Sequence, residues 1–209
     1  MVLGSPLHAI ARYEQHLGLP RNAINRVVAD SAPTGAWSRL ERGELSRGDF
    51  YTAFEQDCDR AGLQISARTL FEWMAAESVP RGAMLAAIRV IRHRGLRVAA
   101  LTNNWANEDD SDADASATSG TALRNHFDAF VESCVEGIRK PDPRIYQLTC
   151  SRLGVKPTEA IFLDDIGANL KPARKLGLTT IKVAEPAAAL SELESTLGFP
   201  LPTEGDGVA

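Results

Sequence analysis

Ala160-Ile161-Phe162-Leu163-Asp164-Asp165-Ile166-Gly167-Ala168-Asn169 is the stretch whose reading decides the fold. Its apolar residues run as in a buried strand and stop at two adjacent carboxylates, after which a glycine leads into a helical pattern. In an open parallel sheet the carboxyl ends of the strands border the ligand crevice, so the two acids stand where chemistry usually occurs. Asp164 and Asp165 are neighbours on a strand end and cannot both point the same way. One can ligate a cation while the other orients a neighbouring base. Hard oxygen donors with no His or Cys nearby suit magnesium, which commonly takes one or two carboxylates together with waters and substrate phosphate. The competing structural reading is that the pair caps the following helix and complements its dipole.

Two further features lie upstream. Leu101-Thr102-Asn103-Asn104 also ends an apolar run in polar groups, which either donate to phosphate oxygens or satisfy a turn. Lys140 sits in Gly137-Ile138-Arg139-Lys140-Pro141-Asp142-Pro143, where two prolines fix the direction of the backbone. An ammonium held in such a turn can neutralise charge on a transferring phosphoryl group; the alternative is a solvated surface lysine.

Around these points the chain reads as alternating helix and strand. The expected elements are a helix over 82–94 ended by Gly95, a strand over 97–101, a strand over 129–133, and a helix over 143–153. A strand over 160–163, a helix over 168–176 and a strand over 179–183 complete the run. Gly154 and Gly177 are expected C-terminal caps and Pro143 an expected first-turn residue. Such alternation implies parallel crossovers. Residues 6–78 read differently, as roughly four helices divided by Pro20, Pro33 and several glycines, with no strand signal. The run Trp37–Glu44 is expected to form a helix and the turn ending it. Residues 106–120 form an acidic, Ser- and Ala-rich segment expected to be a mobile surface loop, without the spacing of a calcium loop. Residues 200–209 are expected to fray.

With 209 residues, 44% of them apolar and 24% charged, the composition is that of a globular protein. A net charge of −4 with scattered Lys and Arg speaks against a nucleic-acid partner. Cys58, Cys134 and Cys150 have no CxxC spacing and read as reduced thiols that fill structure. No window reaches the length of a membrane span, and a cytoplasmic location is expected.

In order and spacing, Thr102-Asn103-Asn104, Lys140-Pro141-Asp142-Pro143 and Asp164-Asp165-Ile166-Gly167-Ala168-Asn169 resemble motifs II, III and IV of the haloacid dehalogenase superfamily. The likeness extends through His126-Phe127-Asp128, Ile145-Tyr146 and Leu170-Lys171-Pro172-Ala173-Arg174. It is strongest over Val79–Gly198, and within the superfamily it is similar to the N-terminal phosphatase domain of soluble epoxide hydrolase and the front domain of acyl-CoA dehydrogenase family member 10. The resemblance implies an α/β fold, a HAD-like Rossmannoid parallel sheet core over 79–199 with an N-terminal α-helical cap subdomain over 6–78.

It also implies a phosphatase acting on a small organic phosphate, lipid-like ones included, through an aspartyl-phosphate. Thr102 would hold phosphate, Asn103 would position it, and Lys140 would neutralise charge. Asp164 and Asp165 would hold Mg2+, braced by Asn169, and Asn104 and Trp105 would line the entrance. A homo-oligomer stays open.

The family's nucleophile strand, an Asp-x-Asp motif, has no counterpart here. Residues 1–5 align with the end of that motif, as the remnant of the nucleophile loop. The expectation is therefore a hydrolase inactive as written for want of the nucleophile Asp. Two alternatives stand beside it: a noncatalytic binding or regulatory domain, and a 2-haloacid dehalogenase-like hydrolase, against which the double carboxylate speaks because its charge would repel an anionic substrate.

Overall fold

A computed structural model describes Val2 and residues 6–106 and 123–202. Among the described residues, the N-terminal segment forms five helices: α1 (Pro6–His16), α2 (Ala23–Asp30), α3 (Ala36–Glu41), α4 (Arg47–Arg60) and α5 (Ala67–Glu77). Five helices stand where roughly four were expected, and Pro33 lies in the turn between α2 and α3, as a divider of helices. Local chemistry sets the two longest entries: Ser46 Oγ accepts the Asp49 N–H ahead of α4, and Ser66 Oγ accepts the Thr69 N–H ahead of α5. On α4, Phe50, Phe54 and Cys58 recur at four-residue spacing and are fully buried. They meet Trp37 of α3, whose ring stands edge-on to Phe50 and Phe54 at 5.7 and 5.2 Å. Burial pushes the Cys58 thiol up to about 12, so it serves as a small apolar filler.

The remainder alternates helix and strand: α6 (Gly82–His93), β1 (Ala99–Thr102), β2 (Ala129–Glu132), α7 (Ser133–Glu136), α8 (Pro143–Leu153), β3 (Ile161–Asp164), α9 (Gly167–Lys175), β4 (Thr179–Lys182) and α10 (Pro186–Leu197). β1 pairs with β2 in parallel, Ala99 opposite Ala129 through Thr102 opposite Glu132. β3 pairs with β4 in parallel, Ile161 opposite Thr179 through Asp164 opposite Lys182. Among the described residues these are two separate two-stranded sheets.

The period of two along β3 sorts its residues onto two faces. Ile161 and Leu163 pack with Met84, Ile181, Leu190 and Leu193, the side carrying α6 and α10. Phe162 packs with Val131, Ile145, Tyr146 and Ala173, the side carrying α8 and α9. Helices therefore cover both faces of parallel strands, as an α/β protein requires.

Two expectations change at the C-terminal end. α10, which the sequence reading passed over, is an Ala- and Leu-containing helix that buries Ala189, Leu190 and Leu193. The fraying expected from residue 200 does not begin there: Leu201 is buried beside α10, and its N–H donates to the Glu194 carboxylate at 2.8 Å. Most of the acidic segment 106–120, and residues 203–209, lie outside the described residues.

Candidate functional site

The carboxyl ends of β1 and β3 are joined by one side chain. Lys140 is only 5% exposed, and its Nζ donates to the Leu101 carbonyl at 3.1 Å and to Asp164 Oδ2 at 2.7 Å. A lysine reaches such burial only when its charge is paired, and the alternative of a solvated surface lysine gives way to a fixed cation at a strand-end seam. The Phe162 ring lies beneath the ammonium, 5.7 Å from its centroid.

The turn that aims Lys140 is built locally. Asp142 caps α8 by accepting the Arg144 N–H at 2.9 Å, with Pro143 in the first helical turn. Its carboxyl lies below the usual carboxylate range, first because the Arg144 guanidinium donates to it. On the other side Asn103 grips the backbone of Lys140 twice: its Oδ1 accepts the Lys140 N–H at 2.9 Å, and its Nδ2 donates to the Lys140 carbonyl at 3.0 Å. Asn103 thus touches the charged residue's main chain.

Asp164 is 1% exposed and fully engaged. Besides the Lys140 bond at Oδ2, its Oδ1 accepts the Ile166 N–H at 2.8 Å and the Asn169 side-chain amide at 3.0 Å. Asn169 is in turn fixed by Tyr146, whose hydroxyl donates to the Asn169 carbonyl at 2.7 Å. Burial, and secondarily the Asp164 charge, raises the Tyr146 phenol well above its ordinary pKa, so it stays a neutral donor. Asp165 is half-buried at the opening of α9. Thr102 Oγ1 makes a long contact of 3.4 Å to the Asn103 carbonyl.

Thr102, Asn103, Lys140, Asp164, Asp165 and Asn169 thus gather at the ends of β1 and β3. Asn104 faces the end of β2 and the start of α7, and Trp105 faces the helical bundle. Asn104 Nδ2 donates to Glu132 at 2.7 Å, and its Oδ1 receives the Cys134 thiol at 3.4 Å. The Trp105 ring is half-buried and packs against the bundle's aromatic core, 4.7 Å from Phe71 and 6.3 Å from Trp37.

A second buried polar cluster escaped the sequence reading. Glu41 of α3 accepts from Trp37 Nε1 at 3.1 Å, from Asn103 Nδ2 at 3.2 Å and from Arg139 Nε, while Arg139 Nη1 donates to Ser38 Oγ at 3.0 Å. Burial holds the Glu41 carboxyl above the usual range against the opposing pull of Arg139. The signal was present in the four-residue spacing of Trp37 and Glu41, which puts both on one helix face, but the partner lies 98 residues away.

An α/β protein with polar and charged side chains gathered at the carboxyl ends of its strands belongs to the class whose ligand crevices lie there. The sequence matches the haloacid dehalogenase-like hydrolases over residues 7–177, and the chain belongs to that family. It is 38% identical over 208 residues to acyl-CoA dehydrogenase family member 10 of Mus musculus, covering 96% of this chain and 18% of that protein. It is 35% identical over 199 residues to bifunctional epoxide hydrolase 2 of Sus scrofa, covering 91% of this chain and 36% of that protein. The chain therefore spans a minor part of the length of either relative. A HAD family enzyme from Bacteroides thetaiotaomicron, solved in complex with magnesium and inorganic phosphate, shares the fold with a TM-score of 0.58 at 17% identity, covering 87% of this chain and 88% of that one. Among the described residues no helix is long and apolar enough to cross a membrane.

Proposed function

We propose that the strand-end site binds the phosphoryl group of a small organic phosphate, with magnesium, as the charge-stabilising half of a phosphatase centre. The observation that carries this is the buried Lys140 ammonium, fixed between Leu101 and Asp164 at the carboxyl ends of two parallel strands. A cation pre-oriented in a water-poor seam stabilises developing phosphoryl charge without reorganising. Thr102, whose hydroxyl makes a long contact of 3.4 Å to the Asn103 carbonyl, supplies a donor for a phosphate oxygen. Asn103 positions Lys140 through its main chain. Family membership and the magnesium- and phosphate-bound relative support the same reading.

The donor chemistry fits magnesium: Asp164 and Asp165 are hard oxygen donors. Among the described residues no group of three or more His, Cys, Asp or Glu is arranged to hold a metal, so these carboxylates supply part of a shell that waters and substrate phosphate extend. Asp164, already engaged by Lys140, Ile166 and Asn169, orients the loop, and Asp165 presents the ligand. When bound, the metal would offset charge on the phosphoryl oxygens. Covalent transfer in this reading needs an attacking Asp on an Asp-x-Asp strand: its carboxylate would displace the substrate's alkoxide, which leaves with a proton as the alcohol, and water would then displace the carboxylate to release inorganic phosphate. None of Thr102, Lys140 and Asp165 fills that role. The helices of residues 6–78 act as the cap over the site.

The test is a titration of the chain with inorganic phosphate in magnesium, followed by 31P NMR. Saturable binding is expected, weakened at least about tenfold in Lys140→Ala, the scale of one lost charge-assisted contact. Equal affinity in the variant and the wild type would overturn the reading.

A further inference from the structure

Glu41 stands out as a buried carboxylate that the chemistry above does not use. It lies on α3, in the helical bundle, yet two of its three donors, Asn103 and Arg139, belong to the site region, and Arg139 immediately precedes Lys140. Asn103 Nδ2 is shared between Glu41 Oε2 and the Lys140 carbonyl, so the carboxylate reinforces the amide orientation that the Lys140 N–H and carbonyl select. With the amide reversed, its NH2 group would meet the Lys140 N–H, which needs an acceptor. Ser38, 1% exposed, completes the hold by accepting from Arg139. The same edge of the bundle makes a second close contact: Gly43, at φ +70°, packs on the Cys134 carbonyl so tightly that a Cβ there would clash. Bundle and site are thus joined at two neighbouring points, one steric and one electrostatic.

We infer that Glu41 is a positioning residue that couples the seating of the helical bundle to the orientation of Asn103 and Lys140, so that the anion site is fully formed only when α3 is docked. Rotation of α3 away from the seam would strip Asn103 Nδ2 and Arg139 of their shared acceptor. Undocking would leave the half-buried Arg139 guanidinium and the Asn103 amide without their common acceptor, so docked bundle and correctly aimed Lys140 favour one another. The inference rests on the reading that Lys140 faces the phosphoryl group.

The experiment compares inorganic phosphate affinity, in magnesium, for the wild-type chain and for Glu41→Gln, Lys140→Ala and Phe54→Leu. Phe54 is buried in the bundle core and controls for general destabilisation. Glu41→Gln is expected to weaken phosphate binding about tenfold, the scale of one charge-assisted hydrogen bond, and to shift the Asn103 side-chain amide resonances. Phe54→Leu is expected to lower the melting temperature while leaving phosphate affinity and the Asn103 resonances unchanged. If Lys140→Ala binds phosphate as wild type does, the underlying reading falls and the inference with it. If Lys140→Ala is weakened and Glu41→Gln is not, the Glu41 inference alone is overturned. Equal weakening by Phe54→Leu and Glu41→Gln would likewise overturn it, because Glu41 would then be a stability residue only. Should Glu41→Gln fail to fold, Ser38→Ala decides: an affinity loss of about threefold, as for one weakened neutral bond, supports the inference, and unchanged affinity overturns it.

Discussion

Glu14 in the helical bundle and Asp164 in the α/β region are both 1% exposed carboxylates, yet their surroundings differ in kind. Glu14 accepts only main-chain donors, the N–H groups of Asn22 at 2.7 Å and Ile24 at 2.9 Å, and so closes the start of α2. Asp164 accepts from a lysine, a backbone amide and an asparagine at the seam between two sheets. The first arrangement caps the start of a helix; the second holds a fixed ammonium at the carboxyl ends of β1 and β3. The hydrophobic packing follows the same division. The bundle has one continuous aromatic-rich cluster, whereas the α/β region splits into two clusters on opposite faces of its strands. Packing strength thus concentrates in the bundle and charged chemistry at the seam, with Glu41 joining them.

The comparison breaks first if the bundle core is not what stabilises that half. Phe54→Ala, at a fully buried ring in contact with Trp37 and Phe50, is expected to cost about 4 kcal/mol in denaturant unfolding. A cost below about 1 kcal/mol, the range of tolerant surface sites, would show that the cluster is loosely packed. Glu14→Ala sharpens the contrast between the two carboxylates. It orphans the buried Ile24 N–H and the part-buried Asn22 N–H and is expected to cost about 2 kcal/mol while leaving phosphate affinity unaltered. Weakened phosphate binding in that variant would erase the distinction between a capping carboxylate and one that serves the site.

A smaller effect is expected at Asp128, just before β2. Its carboxyl lies below the usual range, first because it accepts the Val98 N–H at 2.8 Å and then because of Arg92. Its folded pKa is thus depressed, so its stabilisation is fully present above the unfolded value of about 3.9 and is lost as pH falls through the folded value. Asp128→Asn should cost about 1 kcal/mol at neutral pH, discounted for the group's exposure, and the difference from wild type should shrink below about pH 4. A difference that persists unchanged into acid would assign the effect to shape rather than charge.

How far the sequence foretold this depended on whether a signal was local. The helix over 143–153 was legible at both ends because Pro143 and Gly154 are terminal signals in themselves, and Gly154 does take the left-handed φ of +65°. The strand ending at Asp164 was legible because its apolar run stops abruptly. α10 was missed although Pro186 opens it and Gly198, at φ +76°, closes it, because its alanine-rich interior gives a weak apolar stripe. The gathering of Thr102, Asn103, Lys140 and Asp164 could be inferred from strand ends alone. The pairing of Glu41 with Arg139 could not, since it depends on how α3 docks, and the same long-range packing drew Trp105 against the bundle.

The central claim, a charge-stabilising site that needs an Asp-x-Asp strand for turnover, is tested most directly by aryl phosphate hydrolysis in magnesium. The 209-residue chain would be compared with a version carrying an Asp-x-Asp strand ahead of Met1. Turnover is expected only in the extended protein and should be lost, together with its metal dependence, in its Asp165→Asn variant. Robust magnesium-dependent turnover by the 209-residue chain itself, abolished by substituting some other aspartate, would contradict the account.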